Sequence, residues 1–106
     1  MLYSMISKIK NLLFGKSVDY KQLMLNGAII LDVRSKSEFI NGNINGSKNI
    51  PLDTLTTNIV KLKKDTPIIT CCASGMRSAA AKNILKSNGF KEVFNGGSWM
   101  TLRNKI

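Results

Sequence analysis

The chain has 106 residues, 43% of them hydrophobic and 21% charged, which is the size and composition of one ordinary globular domain. This composition excludes a disordered chain and a membrane-embedded fold, and the length leaves no room for a second folded domain. The formal net charge of +10 suits nucleic acid, an anionic membrane surface or small anionic substrates, and charge alone does not choose among them.

The distribution of lysine and cysteine narrows these classes. The lysines are scattered, with Lys61-Leu62-Lys63-Lys64 the densest cluster, and no aromatic-rich or arginine-rich motif accompanies them, so we expect no nucleic-acid partner. Cys71 and Cys72 are adjacent, which excludes a disulfide framework and favours reduced thiols. No apolar stretch is long enough to span a membrane. Lys8 and Lys10 interrupt the apolar N-terminal stretch, which argues against a secretory signal, so we expect a cytoplasmic protein.

Residues 1 to 15 form a predicted N-terminal extension. Residues 1 to 14 place apolar side chains at helical spacing, which predicts a short amphipathic helix. Such a helix can lie on a membrane surface, but it carries only two cations, so we expect it to pack on the domain or to be loosely ordered, without membrane association. The predicted domain covers residues 16 to 106.

Short strands and helices alternate through this domain. Bounded apolar runs predict strands at residues 17–18, 28–33, 47–50, 68–71 and 91–94. Helices are predicted over residues 20–26 with a cap at Asp19, around 38–40 with a cap at Ser35 or Ser37, over 52–62, over 78–88, and over 99–104 with a cap at Ser98. Turns are predicted at residues 41–46 and 95–97. The alternation predicts an α/β fold, with a central parallel sheet of about five short strands and helices on both faces.

The segment from Ile68 to Ser78 runs from a buried strand through a tight loop into a helix. Cys72 therefore follows a strand and faces a helix N-terminus, where unpaired backbone N–H groups favour a thiolate and an anionic ligand. Sites in open parallel sheets form at this edge. Strand alternation points Cys71 to the opposite face, so we expect it to be structural.

Four motifs occur in order between about Ser17 and Trp99. They are Leu31-Asp32-Val33-Arg34 followed by Glu38-Phe39, then Gly42-Asn43-Ile44-Asn45-Gly46-Ser47-Lys48-Asn49-Ile50-Pro51-Leu52, then Cys72-Ala73-Ser74-Gly75-Met76-Arg77-Ser78, and finally Gly96-Gly97 with Trp99 soon after. Together they resemble the single-domain rhodaneses, a sulfurtransferase family. Asn43 departs from the family pattern because His is usual there, and the spacing from Gly-Gly to Trp is shorter than usual.

The resemblance implies a two-step transfer of sulfur. Cys72 would attack the outer sulfur of a small anionic donor, thiosulfate or a persulfide, and pass it from a Cys72 persulfide to a thiol or cyanide. The acceptor would be a low-molecular-weight thiol or a thiol protein, and neither metal nor organic cofactor is needed. We expect a monomer.

Arg77 is the second candidate catalytic residue, because its guanidinium offers a permanent cation and a bidentate fork for an oxyanion or persulfide. The rest of the loop is the candidate anion-binding segment, with Gly75 allowing the N–H groups to curl inward. That segment consists of Ala73, Ser74, Gly75, Met76 and Ser78. Ser74 and Ser78 can donate through their hydroxyl groups, although Ser78 could equally be a helix cap, and Met76 is a candidate for lining the mouth of the site.

Several alternatives stay open from the sequence. Cysteine-dependent phosphatases that share this fold have five residues between Cys and Arg, whereas four separate Cys72 from Arg77, and the chain has no His, so phosphatase and arsenate reductase chemistry are disfavoured. Cys72 could instead be an inert thiol of a non-catalytic binding or sulfur-sensing module, or could form a vicinal redox bridge with Cys71. Asp32 and Arg34 are expected to form a structural ion pair rather than an acid and an anion clamp.

Overall fold

A computed structural model of the chain describes residues 17–106, and the elements below belong to that range. The predicted extension of residues 1–15, with its amphipathic helix, lies outside the described residues. Within residues 17–106, no helix combines the length and the apolar character that crossing a bilayer requires.

A four-stranded parallel sheet forms the centre of the described domain. Its strands are β1 (Ile29–Asp32), β2 (Lys48–Asn49), β3 (Ile68–Cys72) and β4 (Val93–Ser98), in the spatial order β2-β1-β3-β4. This confirms the predicted α/β class with a parallel sheet. The predicted number of about five strands is too high, because residues 17–18 pair with no strand and lead directly into the first helix.

Helices cover both faces of the sheet, as predicted. They are α1 (Tyr20–Leu25), α2 (Lys36–Ile40), α3 (Leu55–Asn58), α4 (Met76–Ser87) and α5 (Trp99–Arg103). Leu55 and Leu85, from α3 and α4, pack on one face, in a cluster that includes Cys72. Leu102 from α5 packs on the other face, in a cluster that includes Cys71, with α1 residues around it.

Two predicted helix caps are confirmed with their side-chain hydrogen bonds, and the third is confirmed in position only. The carboxylate of Asp19 accepts from the N–H of Gln22, as an N-cap should. Ser35, rather than Ser37, caps α2 and forms a reciprocal capping box with Glu38. Ser98 stands at the N-cap position of α5, but its side chain makes no capping hydrogen bond.

The predicted single helix over residues 52–62 is broken into three pieces. A 3-10 turn at Leu52–Thr54 precedes α3, and a second one follows at Ile59–Lys61. The side chains of Thr54, Thr57 and Asn58 all donate to local backbone carbonyls. Such bonds compete with the regular helical pattern, which explains the interruption.

The predicted turn at residues 95–97 lies inside β4 instead. Thr70 pairs with Asn95 and Cys72 pairs with Ser98, so β4 places two residues, Gly96 and Gly97, opposite one residue of β3. A Cβ atom on Gly96 would lie 2.8 Å from Leu102 Cδ2 and 2.9 Å from Ile69 Cγ2, and Gly97 has a φ of +77°. The two glycines therefore form a β-bulge, which uses the same residue types as a turn.

Candidate active site

The candidate site is the connection between β3 and α4. Gly75 is the N-cap of α4, with a φ of +104° that suits glycine. The helix begins at Met76, two residues before the predicted start at Ser78. Ser78 is therefore inside the first helical turn, where its backbone N–H has no intrahelical partner.

Three groups of this connection surround the sulfur of Cys72. The N–H of Gly75 lies 3.0 Å from Cys72 Sγ, and the N–H of Ser78 lies 3.4 Å from it. Ser78 Oγ lies 3.5 Å from the same sulfur. The loop therefore presents backbone and side-chain hydrogen-bonding groups to one atom, Cys72 Sγ.

These contacts change the ionisation of Cys72. Burial opposes ionisation, but hydrogen bonds from the Ser78 hydroxyl and from the N–H groups of Ser78, Gly75 and Ser74 outweigh it, so the pKa of Cys72 lies below its ordinary value. The arrangement favours negative charge on this sulfur.

Cys71 lies in an opposite environment, as strand alternation predicts. It is fully buried on the other face of the sheet, in the apolar cluster that includes Ile30, Ile69 and Trp99. Burial, assisted by the nearby Asp32 carboxylate, raises the pKa of Cys71 to about 12. Both cysteines are free thiols.

Arg77 makes a two-point ion pair with Glu38 of α2. Arg77 Nη1 lies 2.7 Å from Glu38 Oε1, and Nη2 lies 3.0 Å from Oε2, with both side chains 38% exposed. The hydrogen bond from Arg77, followed by those from the N–H and hydroxyl of Ser35, lowers the pKa of Glu38 to about 2. The guanidinium fork is thus held by a carboxylate, and an anion at the loop would compete with Glu38 for it.

Asp32 and Arg34 form a buried ion pair, as predicted. Arg34 Nη2 lies 2.7 Å from Asp32 Oδ2 and 2.7 Å from the carbonyl oxygen of Gly42, and the guanidinium stacks 4.6 Å from the centre of the Trp99 ring. The hydrogen bond from Asp32 raises the pKa of Arg34. These contacts join the end of β1 to the α2–β2 connection and to α5, which is a structural arrangement.

The remaining predicted loop residues lie at the surface. Ala73, Ser74 and Met76 are exposed, and the exposed fraction of Met76 is 80%. An open cavity of about 570 Å³ lies beside Arg77, and Met76 is not part of its lining. The cavity is lined by Val33, Ser35, Lys36, Pro51, Leu52, Asp53, Thr54 and Arg77.

Sequence reasoning missed two residues that support the loop. Thr70, fully buried in β3, donates from Oγ1 to the carbonyl oxygen of Ser78 at 2.8 Å. Asn95 Oδ1 lies 2.6 Å from Ser78 Oγ. A hydroxyl inside an otherwise apolar strand is a usable signal for Thr70, whereas Asn95 precedes two glycines, which predict a turn.

Two further observations complete the site. Asn43, which stands where His is usual, donates from Nδ2 to the carbonyl oxygen of Phe39 at 2.8 Å, near the end of α2. Among residues 17–106, no group of three or more His, Cys, Asp or Glu side chains is arranged to hold a metal ion.

Comparison with known proteins adds to this geometry. A family model described as "Rhodanese-like domain" matches residues 17–99. The chain is 37% identical to the uncharacterized protein YqhL of Bacillus subtilis over 68 aligned residues. The alignment covers 64% of this chain and 54% of YqhL. Over 75 residues it is 33% identical to the thiosulfate sulfurtransferase GlpE of Ectopseudomonas mendocina, which covers 71% of this chain and 69% of GlpE.

A solved structure is similar over most of the described domain. The crystal structure of reduced Bacillus anthracis CoADR-RHD matches with a TM-score of 0.70 and 32% sequence identity, over 82% of this chain and 15% of that one. The chain therefore spans about half the length of YqhL and a small part of CoADR-RHD.

Proposed function

The chain belongs to the rhodanese-like family, and on that premise we propose that it is a sulfurtransferase that carries a sulfane sulfur on Cys72. The observation that supports this most directly is the 3.0 Å hydrogen bond from the Gly75 N–H to Cys72 Sγ. A donor at this distance stabilises negative charge on Sγ, which is present in the attacking thiolate and again in the thiolate that the second step releases. The relative GlpE, named a thiosulfate sulfurtransferase, supports the same reaction class.

In the first step, the Cys72 thiolate attacks the outer sulfur of a small anionic donor, thiosulfate or a persulfide. A new S–S bond forms at Cys72 while the S–S bond of the donor breaks. With thiosulfate, sulfite leaves with the electron pair of that bond. The N–H groups of Gly75 and Ser78 then face the Cys72 persulfide.

In the second step, the thiolate of an acceptor, or cyanide, attacks the outer sulfur of the persulfide. The S–S bond at Cys72 breaks, and its electron pair returns to Cys72 as a thiolate. The products are an acceptor persulfide, or thiocyanate, and the original enzyme. A low-molecular-weight thiol and a thiol protein both suit this step.

The cavity beside Arg77 is the approach that we propose for both substrates. Lys36 and Arg77 line it and supply positive charge for an anionic donor. Cys72 is fully buried, whereas the following residues Ala73 and Ser74 are exposed, so the loop must move before a donor reaches the sulfur. Arg77 would exchange part of its contact with Glu38 for the donor.

The burial of Cys72 also supports a second candidate function. A thiol with no exposed surface suits a non-catalytic rhodanese-like module that binds a partner or senses sulfur without turnover. The two functions differ in one measurable property, because only the sulfurtransferase accepts sulfur from thiosulfate on Cys72 and releases it to an acceptor.

Intact-mass measurement after incubation with thiosulfate tests the proposal. We expect a gain of one sulfur atom in the wild-type chain and in Cys71→Ala, no gain in Cys72→Ala, and loss of the added sulfur when cyanide or a thiol is supplied. Sulfur uptake by a folded Cys72→Ala variant would refute the role of Cys72. A folded wild-type chain without uptake would favour the non-catalytic module.

A further inference from the structure

The side chain of Asn95, on β4, reaches the loop that carries Cys72. Its Oδ1 lies 2.6 Å from Ser78 Oγ and 2.9 Å from the backbone nitrogen of Gly97. Its Nδ2 lies 3.3 Å from the carbonyl oxygen of Gly75. One amide therefore contacts Gly75 and Ser78, whose backbone nitrogens lie 3.0 and 3.4 Å from the Cys72 sulfur.

The orientation of this amide follows from its neighbours. The backbone N–H of Gly97 is a donor, so the Asn95 atom that faces it must be the acceptor, Oδ1. The same oxygen faces Ser78 Oγ, so the Ser78 hydroxyl must be the donor in that contact. Reversing the amide would place two donors against each other at Gly97.

The Ser78 hydroxyl has one hydrogen and three neighbouring acceptors. Asn95 Oδ1 is at 2.6 Å, the carbonyl oxygen of Gly75 at 3.0 Å and Cys72 Sγ at 3.5 Å. The shortest contact places the hydrogen on the Asn95 side. In that position Ser78 Oγ presents lone pairs to the sulfur, so it can accept from the thiol S–H but cannot donate to a thiolate.

We propose that Asn95 is a positioning residue for the Cys72 site, which competes with the Cys72 sulfur for the single hydrogen of the Ser78 hydroxyl. In the thiol state, the chain of donors runs from Cys72 S–H to Ser78 Oγ and on to Asn95 Oδ1. In the thiolate state, the hydroxyl turns towards Cys72 Sγ, while Asn95 Oδ1 keeps the Gly97 N–H. Asn95 therefore favours the thiol and limits how strongly Ser78 stabilises the thiolate.

The charged neighbours of the loop are engaged elsewhere. Arg77 pairs with Glu38, and Arg34 pairs with Asp32. Among the described residues, neither pair hydrogen-bonds to Ser78 or Asn95, Cys71 faces away, and β4 carries no charged residue. Tyr20 of α1 donates from its hydroxyl to the backbone carbonyl oxygen of Asn95 at 3.0 Å, an oxygen that side-chain substitutions retain. Substitutions at Asn95 thus act on an uncharged contact. The inference rests on the proposed function only in taking Cys72 as the reactive thiol.

The test is a pH titration of the Cys72 thiolate by its ultraviolet absorbance, with Cys72→Ala as the blank. In wild type the Ser78 hydroxyl must give up its hydrogen bond to Asn95 Oδ1 before it donates to the thiolate. Asn95→Ala removes that cost, so we expect the pKa of Cys72 to fall by about one unit, the size of one hydrogen bond between neutral groups. Ser78→Ala should raise this pKa. Adding Asn95→Ala to Ser78→Ala should then leave it unchanged, because the competing hydroxyl is gone.

A matched control distinguishes competition from simple support of the fold. Asn49 is also half-buried and donates to the carbonyl oxygens of Asp32 and Arg34, at 3.0 and 2.9 Å. Asn49→Ala therefore removes backbone support without touching Ser78, and it should leave the pKa of Cys72 unchanged. If Asn95 only braces the loop, Asn95→Ala would raise that pKa or leave it unchanged, and either result would overturn the proposal.

Asn95→Asp keeps the test decisive if Asn95→Ala does not fold. It retains the acceptor opposite Ser78 and Gly97, so we expect it to raise the pKa of Cys72, and by less when Ser78 is replaced by Ala. An unchanged or lowered pKa in Asn95→Asp, or an equal rise in both backgrounds, would contradict the proposal. The titration measures ionisation of Cys72 and not sulfur transfer, so these outcomes can be interpreted even if the chain transfers no sulfur.

Discussion

Cys71 and Cys72 are neighbours in sequence, yet the sheet gives their sulfurs opposite properties. Both are fully buried, so exposure does not distinguish them. Cys71 faces an apolar cluster that raises its pKa to about 12, whereas Cys72 faces the start of α4, whose N–H groups help to lower its pKa. Strand alternation followed by one helix N-terminus is enough to shift the pKa values of the two thiols in opposite directions.

Each thiol also has an arginine–carboxylate pair nearby. The Asp32–Arg34 pair lies on the Cys71 side and is buried, and its carboxylate raises the pKa of Cys71. The Glu38–Arg77 pair lies on the loop side and is partly exposed. We therefore expect the buried pair to stabilise the fold and the accessible pair to exchange partners when a ligand binds.

The largest expected effect is the difference in alkylation rate between the two thiols. Burial raises the pKa of Cys71 to about 12, whereas hydrogen bonds lower the pKa of Cys72, so near neutral pH Cys72 has the more populated thiolate. Brief iodoacetamide treatment of the native chain, followed by peptide mass spectrometry, should find the label on Cys72 alone. Equal labelling of both residues in native protein would contradict this difference between the two thiols. Unfolded protein is the control, in which both residues should be labelled.

The second effect distinguishes the role of Arg77 in sulfur transfer from the role of the backbone N–H groups in lowering the pKa of Cys72. In Arg77→Ala we expect sulfur transfer from thiosulfate to fall by about a hundredfold, because the site loses the permanent positive charge that binds the thiosulfate anion. The pKa of Cys72 should change little, since Ser78, Gly75 and Ser74 supply its hydrogen bonds. Steady-state kinetics and a thiolate titration of the same variant give the two values. A large rise in the Cys72 pKa would show that Arg77, not the loop backbone, ionises the thiol.

The third effect concerns the glycine at the start of α4. Gly75→Ala forces a side chain into a φ of +104°, which should cost about 1–2 kcal/mol of unfolding free energy and raise the pKa of Cys72 by displacing the N–H donor. Gly27→Ala is the matched control, because its φ is +94° and its surroundings are open. Urea denaturation should show similar losses in both variants, with a changed Cys72 titration in Gly75→Ala alone.

The smallest effect is the pH dependence that the exposed ion pair contributes. Glu38 has a pKa of about 2 in the folded chain against an ordinary 4.5, so its stabilising contribution is complete above about pH 4.5 and is lost as the pH falls towards 2. Its size is limited because both partners are 38% exposed. Denaturation across this range should show that the unfolding free energy of Glu38→Gln falls less steeply with decreasing pH than that of wild type.

The sequence carried enough information for the class of fold and for the centre of the site. Strand alternation placed Cys71 and Cys72 on opposite faces, and the strand-loop-helix order put Cys72 at a helix N-terminus. The Asp32–Arg34 pair followed from two charges placed at the end of an apolar run. These features depend on local periodicity, which is visible in a single sequence.

The missed features depend on contacts between distant segments. Glu38 and Arg77 are 39 residues apart, and no local pattern pairs them. The bulge at Gly96 follows from how closely Leu102 and Ile69 approach it, whereas the sequence shows only two glycines, which also suit a turn. Because the two glycines predict a turn rather than a bulge, the sequence does not predict that the side chain of Asn95 reaches Ser78.

The arrangement of donors around Cys72 has a consequence for protein engineering. Every described group that hydrogen-bonds to the sulfur, and both side chains that hold Ser78, lie between β3 and the end of β4. Among the described residues, Glu38, which holds Arg77, and Tyr20, which donates to the carbonyl oxygen of Asn95, come from earlier parts of the chain. One strand-helix-strand unit therefore contains the thiol-activating device, so a parallel-sheet scaffold could receive it as a graft without the segments that bind substrate.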